Sequence, residues 1–154
     1  MKIIARNKKA LHDYQIEKKI EAGLVLTGTE VKSLRAGKVG FADSFARIKD
    51  GEAYLFNLNI PYYEHSGIYF NHDPKRRRKL LLHRIEIDRL RRKINESGYT
   101  LVPLSIYFND SGIAKIELGL AKGKRKPDKK DYLLQKQKER EMDRARKDFE
   151  RGKY

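Results

Sequence analysis

From residue 14 to residue 26 the chain alternates. Tyr14, Ile16, Ile20, Ala22, Leu24 and Leu26 fall on one face, with only Lys18 breaking the series, and Gln15, Glu17, Lys19 and Glu21 fall on the other. A period of two marks a strand half-buried in an antiparallel sheet; a helix would scatter the same residues around its axis. Two further pairs of segments repeat the theme. Residues 44–50 and 52–60 flank Asp50-Gly51, a dipeptide suited to the two positive φ values of a type I′ turn. Residues 100–109 and 113–120 flank Asn109-Asp110-Ser111-Gly112, and Ala114, Ile116, Leu118 and Leu120 share one face of the second segment. Pro103 has no N–H to donate to a ladder, so it belongs at a sheet edge or a bulge.

Two helices interrupt the strands. Thr27-Gly28-Thr29-Glu30 fits a capping box, in which the Thr27 hydroxyl and the Glu30 carboxylate satisfy free amides at a helix start. That helix runs to about Ala36 and stops at Gly37. The second spans Arg84–Ser97, buries Ile87, Leu90 and Ile94 at helical spacing, and ends at Gly98. Five or six short antiparallel strands with two or three packed helices predict a mainly β fold. The expected architecture is a small antiparallel closed barrel related to the oligonucleotide-binding fold.

Charge divides the chain. Its 154 residues hold 36 Lys and Arg against 21 Asp and Glu, a net charge of +15, which points to a polyanionic partner. Residues 121–154 alone carry 14 basic and 7 acidic side chains, with too few apolar ones to build a core. The predicted organisation is therefore a body over residues 1–122 and a basic C-terminal tail over 123–154, disordered alone. The absence of cysteine removes disulfides, thiol catalysis and Cys-based zinc sites. Met1-Lys2-Ile3-Ile4-Ala5-Arg6 is too short and too soon charged for a secretory signal, and no run of about 18 apolar residues occurs. A soluble cytoplasmic protein is expected.

Catalytic constellations are sparse. His12, His65, His72 and His83 have no metal-ligand spacing, and no Walker A loop, dinucleotide glycine run or Gly-x-Ser-x-Gly elbow occurs. Asp73-Pro74 reads as the start of a turn. The sequence therefore predicts a binding protein without cofactor or metal.

The basic clusters are more informative. Lys75-Arg76-Arg77-Arg78-Lys79 and then Arg84, Arg89, Arg91, Arg92 and Lys93 place ten positive charges in 19 residues, opposed only by Glu86 and Asp88. Guanidinium forks match phosphate oxygens in pairs. Tyr62, Tyr63, Tyr69 and Phe70 lie just upstream, and aromatics beside arginines are suited to stacking on unpaired bases. A solvated face over core aromatics would give a similar pattern; the overall charge favours nucleic acid. Glu30 has two readings. As a cap alone it explains itself, and Glu30→Gln would then cost well under ~1–2 kcal/mol. As a carboxylate in a basic site it would accept hydrogen bonds from base amino or ribose hydroxyl groups.

These motifs form a known pattern. Gly28-Thr29-Glu30-Val31-Lys32-Ser33-Leu34-Arg35 resembles the signature octapeptide of small protein B, the SsrA (tmRNA)-binding protein family. Asn7-Lys8-Lys9-Ala10 with His12 and Tyr14 is similar to that family's opening segment. The run from Asn71-His72-Asp73-Pro74 through Leu80-Leu81-Leu82 is similar to its central basic loop, and Ala121-Lys122-Gly123-Lys124-Arg125 begins a comparable tail. Two places depart from the pattern: Asn59-Ile60-Pro61-Tyr62 stands where the family has His-Ile-x-Pro-Tyr, and Asp128-Lys129-Lys130 where it often has Asp-Lys-Arg.

The resemblance implies a barrel that binds the tRNA-like domain of tmRNA and delivers it to stalled ribosomes, with no reaction catalysed. It implies RNA contacts at Asn7, Lys8, Glu30, Lys32, Asn71, His72, Arg76, Arg78 and Lys79. The tail residues Lys122, Lys124, Arg125, Asp128, Lys129 and Lys130 would meet small-subunit rRNA, and elongation factor Tu would be met through the aminoacylated tmRNA. The rival reading is a structural RNA-binding module such as a ribosomal protein, and a more distant one is a nuclease. Stopping the chain at Gly123 is expected to leave the melting temperature of the body nearly unchanged and RNA affinity only modestly reduced, while peptide tagging on stalled ribosomes is lost. Calorimetry, an RNA titration and a tagging assay on the truncated protein check the three parts.

Overall fold

The computed structural model describes residues 1–67, 69–123 and Arg140. In chain order the elements are β1 (Lys2–Arg6), α1 (Lys8–Asp13), β2 (Tyr14–Leu24), α2 (Gly28–Arg35), β3 (Phe45–Lys49), β4 (Glu52–Phe56), β5 (Arg78–Leu81), α3 (Arg84–Ser97), β6 (Thr100–Phe108) and β7 (Ala114–Gly123). The strands run β1-β6-β3-β4-β5-β2-β7, and β6 also pairs with β7, so all but β1 close into a ring. The chain divides into two units, Met1–Lys122 and Gly123–Tyr154. The second unit contains Lys124, Arg125, Asp128, Lys129 and Lys130, which lie outside the described residues.

The mainly β architecture, both long hairpins and the two longer helices follow the sequence pattern, although β4 stops at Phe56 and not at Ile60, because Asn57 turns out of the strand at φ 60°. Asp50 and Gly51 take φ values of 53° and 77°, as a type I′ turn requires, and join β3 to β4 through pairs from Phe45↔Phe56 to Lys49↔Glu52. Gly98 ends α3 at φ 68°. Three elements leave no clear mark in the sequence. β1 and α1 are too short to show a period, and α1 buries only Ala10. β5 begins inside the basic run, where charge conceals a strand.

Pro103 sits where β6 changes partners. One edge of β6 pairs with β1 from Ser105 to Phe108 but with β3 at Leu101, and the β6–β7 register shifts between Pro103 and Ser105. Such a bulge reverses the side-chain alternation. Leu101 enters the ring before it and Ile106 and Phe108 after it, although their positions differ in parity. Val102 and Leu104 face outward and pack with Ala10 and Ala121, beneath Tyr14 and Ile16. Asn7 fills the gap between β1 and β3. Its amide donates to the Pro103 carbonyl at 2.8 Å and its backbone N–H to the Leu104 carbonyl at 2.7 Å.

The ring has two distinct ends. Leu24 pairs with Leu80 and Leu55 with Arg78, so β2 leaves, β4 leaves and β5 arrives at one end, where α2 follows β2. The Asp50-Gly51 turn and the exit of β5 lie at the other. There α3 begins, and the Arg84 guanidinium donates to the Gly51 carbonyl at 2.6 Å. Between the ends, Leu55, Leu58, Ile60, Ile106, Ile116 and Leu118 are wholly excluded from solvent. No helix among the described residues is long and apolar enough to cross a membrane. Leu118→Ala should lower the unfolding free energy by about 2–5 kcal/mol, whereas Ile113→Ala, at an exposed position, should change it by less than ~0.5 kcal/mol. Urea titration of the two variants makes the comparison.

Candidate nucleic-acid interface

The end of the ring that carries α2 is organised around one carboxylate. The capping box forms as the sequence predicts: the Thr27 hydroxyl accepts from the Glu30 N–H at 3.4 Å, and the Thr27 N–H donates to Glu30 Oε1 at 2.8 Å. Glu30 is 0% exposed. Arg76 Nη2 donates to the same Oε1 at 2.6 Å, and Arg78 Nε donates to Oε2. Burial pushes the Glu30 carboxyl up, but the hydrogen bonds from Arg76 and Thr27 and the charge of Arg78 outweigh it, leaving the carboxyl below its ordinary value.

Arg78 is also 0% exposed, and every remaining side of its guanidinium is occupied. Nη1 donates to the Leu58 carbonyl and Nη2 to the Pro74 carbonyl, the latter at 3.0 Å. It points inward because β5 alternates: Arg78 and Leu80 are buried, Lys79 and Leu81 exposed. The five consecutive basic residues are therefore unequal. Lys75, Arg77 and Lys79 are exposed. Arg77 lies 4.3 Å from the centroid of the Tyr54 ring, and Lys79 is 3.6 Å from Glu52. Arg76 stands between these extremes, with its side chain 35% exposed. Its Nη2 is shared between Glu30 and the Val25 carbonyl, and its buried Nε has no protein partner.

The segment from β4 to β5 is held down by the motif residues. His72 is buried; its Nε2 faces the Ile60 carbonyl at 2.7 Å and its Nδ1 the Thr29 hydroxyl at 2.8 Å. Because a carbonyl can only accept, Nε2 carries a proton. Asn71 closes the loop by accepting from the Tyr63 N–H at 2.8 Å and donating to the Tyr63 and Gly67 carbonyls. Ser33 ties α2 to the same segment through the Pro61 carbonyl at 2.7 Å. On the outside stand Tyr62, Tyr69 and Phe70, the last two 96% and 81% exposed, and the Lys32 ammonium lies 5.4 Å from the Tyr63 ring centroid.

Of the RNA-contact candidates, Glu30, Lys32, Asn71, His72, Arg76 and Arg78 thus lie at the end of the ring that carries α2, whereas Lys79 points out from β5 and reaches Glu52, beside the Gly51 turn at the other end. Glu30, Asn71, His72 and Arg78 have their polar atoms engaged within the protein, and Lys32, Arg76 and Lys79 reach solvent. Asn7 and Lys8 stand apart on α1, against β2 and β6, where Asn7 caps the helix by accepting from the Ala10 N–H. Sequence reasoning misses Thr29 and Ser33 because their partners lie 43 and 28 residues away, a distance no local pattern reports. It also misses Tyr54, whose place under Arg77 has no signal beyond a position in a strand. Lys122 reaches solvent on a different cluster, 4.5 Å from the Tyr99 ring centroid.

A closed β ring that carries guanidinium groups anchored on a buried carboxylate, together with exposed aromatic rings, is a barrel with the side-chain chemistry suited to nucleic acid. A family model described as SmpB protein matches residues 4–148. The chain is 59% identical over 144 residues to the SsrA-binding protein of Acidothermus cellulolyticus, covering 94% of this chain and 89% of that one. It is 53% identical over 151 residues to the SsrA-binding protein of Shouchella clausii, covering 98% and 96%. Among solved structures it resembles a chain described under "tmRNA-SmpB: a journey to the center of the bacterial ribosome", with a TM-score of 0.69, 58% identity, and coverage of 81% of this chain and 87% of that one. The chain belongs to the SmpB family.

The buried pair changes what Glu30→Gln should do. The variant leaves Arg78 in the interior without a counter-charge, so the loss should be about 3–5 kcal/mol at neutral pH, well above that of a cap alone. A carboxyl held below its usual 4.5 contributes stability that is present above that value and lost as pH falls through the folded one. The gap between wild type and variant should therefore stay constant from neutral pH to about 4.5 and narrow below it. Urea titrations at several pH values measure that gap.

Proposed function

We propose that this protein binds the tRNA-like domain of tmRNA and delivers it to stalled ribosomes for trans-translation, as a binding protein and not an enzyme. The observation that carries the proposal is the buried Glu30 carboxylate of α2 holding the part-exposed Arg76 guanidinium at 2.6 Å. A guanidinium already immobilised loses little freedom when it meets a phosphate, and the Arg76 side chain remains 35% exposed. Family membership and the likeness to a chain solved with tmRNA support the same reading.

On this proposal Lys8, Lys32, Arg76 and Lys79 touch phosphate, while Asn7, Glu30, Asn71, His72 and Arg78 set the surface on which the RNA lies. The ring works as a relative of the oligonucleotide-binding barrel, with residues 1–122 as the RNA-binding body. Residues 123–154 form the ribosome-binding tail, in which Lys124, Arg125, Asp128, Lys129 and Lys130, with Lys122 before them, meet small-subunit rRNA. Elongation factor Tu is met through the shared aminoacylated tmRNA, and the whole process belongs to the cytoplasm.

Lys32→Glu/Arg76→Glu should weaken tmRNA binding and reduce the slope of log K against log salt by about 0.7–0.9 for each phosphate left unneutralised. Titration at several salt concentrations measures it, and an unchanged slope would contradict the proposal. Two controls separate the rivals. A delivery factor leaves ribosomes in a salt wash and follows tmRNA, whereas a structural ribosomal protein stays with the subunit. Intact RNA after incubation with divalent metal excludes a nuclease.

A further inference from the structure

Six of the seven strands have a neighbour on each side, because the ring β6-β3-β4-β5-β2-β7 closes on itself; β1 does not. It pairs with β6 alone, from Lys2↔Phe108 to Arg6↔Ser105. Closure removes the edges of a sheet, so β1 carries the single open edge among the described residues. In an antiparallel ladder successive residues turn their N–H and C=O groups to one side and then to the other. The Asn7 N–H donates to the Leu104 carbonyl of β6, so the N–H and C=O of Arg6, one residue earlier, face away from β6. Among the described residues no hydrogen bond takes them up.

We infer that this edge is a docking site for an extended acidic segment of a partner protein, which adds to β1 as a further strand of the sheet. It involves none of the residues proposed to meet RNA. Two side chains decide the sign of the partner. Lys2 and Arg6 are exposed at the two ends of β1. Neither forms an ion pair among the described residues, although the neighbouring Met1 amine meets Asp110 at 2.6 Å. A second copy of this chain is a poor occupant. Two β1 strands paired antiparallel about Ile4 would set Lys2 against Arg6 at both ends, between chains that each carry a net charge of +15. Cations on an edge strand oppose that kind of self-pairing. The same two charges attract a strand with carboxylates opposite them, and each such cross-strand pair adds to the backbone hydrogen bonds.

Between the two cations the strand is apolar. Ile4 packs against the core, whereas Ile3 is 38% exposed. Ile3 lines a cleft of about 480 Å³ together with Met1, Leu11 and Leu104. The charged groups of that cleft balance, Arg6 and Lys19 against Glu21 and Glu117, so it suits an uncharged side chain. In strand addition the backbone supplies the affinity and alternate side chains the selection. The preferred segment is therefore short and extended, with acidic residues at both ends of a β-branched centre. The five residues of β1 extend about 17 Å, room for one such segment.

The test uses the full chain and three fluorescein-labelled peptides with blocked ends: Glu-Glu-Val-Thr-Val-Glu-Glu, the same peptide with its three central amides N-methylated, and Lys-Lys-Val-Thr-Val-Lys-Lys. By anisotropy the first should bind about tenfold or more tightly than either of the others, and it should slow hydrogen exchange at the Arg6 amide by about tenfold or more. The methylated peptide keeps every charge and loses the donors a ladder needs, so equal affinity for it would reduce the binding to ionic attraction and overturn the inference. Lys2→Glu/Arg6→Glu should weaken the acidic peptide by about tenfold or more and bind the lysine peptide better than wild type does. Lys2→Gln/Arg6→Gln, which adds no repulsion, should show a smaller loss, and the melting temperature of each variant verifies folding. Affinity for the tRNA-like domain of tmRNA should change by less than about twofold in both variants. A loss there as large as that for the peptide would overturn the inference by giving the edge to RNA. Slowing of Arg6 exchange as the protein is concentrated without peptide would overturn it by giving the edge to a second copy, and so would failure of all three peptides to bind.

Discussion

The buried contact between Glu30 and Arg78 is the interaction on which the rest of this end of the protein depends. A guanidinium with no access to water must satisfy its donors within the protein. Arg78 does so by joining three otherwise separate pieces: α2 through Glu30, the exit of β4 through Leu58, and the turn before β5 through Pro74. Taking both charges out of water costs several kcal/mol per ion, and their attraction returns that only when the geometry is this complete. What the pair contributes is position. Glu30 serves at once as helix cap and as counter-ion, so the start of α2 and the start of β5 are set relative to each other by a single side chain.

That arrangement explains how so basic a surface stays ordered. One carboxylate holds two guanidinium groups, so the repulsion between Arg76 and Arg78 is offset only in part and the cluster keeps an excess positive charge. The excess appears on Arg76, the member that reaches solvent. His72, Asn71 and Ser33 then pin the long segment between β4 and β5 by hydrogen bonds to backbone carbonyls. Among its described residues the segment forms no helix and only one isolated bridge, yet its backbone is held, and exposed rings can be displayed from it without collapsing onto the core. Family resemblance marks the same residues, but geometry sorts them into those that hold the surface and those that form it.

The closed ring supplies a second constraint. Closing the sheet leaves a helix at each end, and the bulge at Pro103 lets β6 serve the core on both sides of its change of partner. Because β5 runs from one end to the other, the basic residues that precede it start beside α2, while Lys79 and Arg84 reach Glu52 and Gly51 at the far turn.

The sequence by itself determined the periodic and local features: the alternation of β2, the Asp50-Gly51 turn, the capping box at Thr27, the glycine stop of α3, the net charge and the family pattern. Each of these is set by residues within a few positions of one another, where backbone geometry and side-chain spacing leave few alternatives. Only the tertiary structure decided which charges are inside. Arg76, Arg77 and Arg78 are chemically identical in the sequence, and Arg78 is buried because β5 presents it to a carboxylate 48 residues earlier in the chain. Likewise His72 is paired to Thr29 and Asn7 to Pro103 across separations that no spacing rule spans. The physical reason is that burial of a polar group depends on whether a partner waits at the other end of the contact, and that partner is brought there by the closure of the ring.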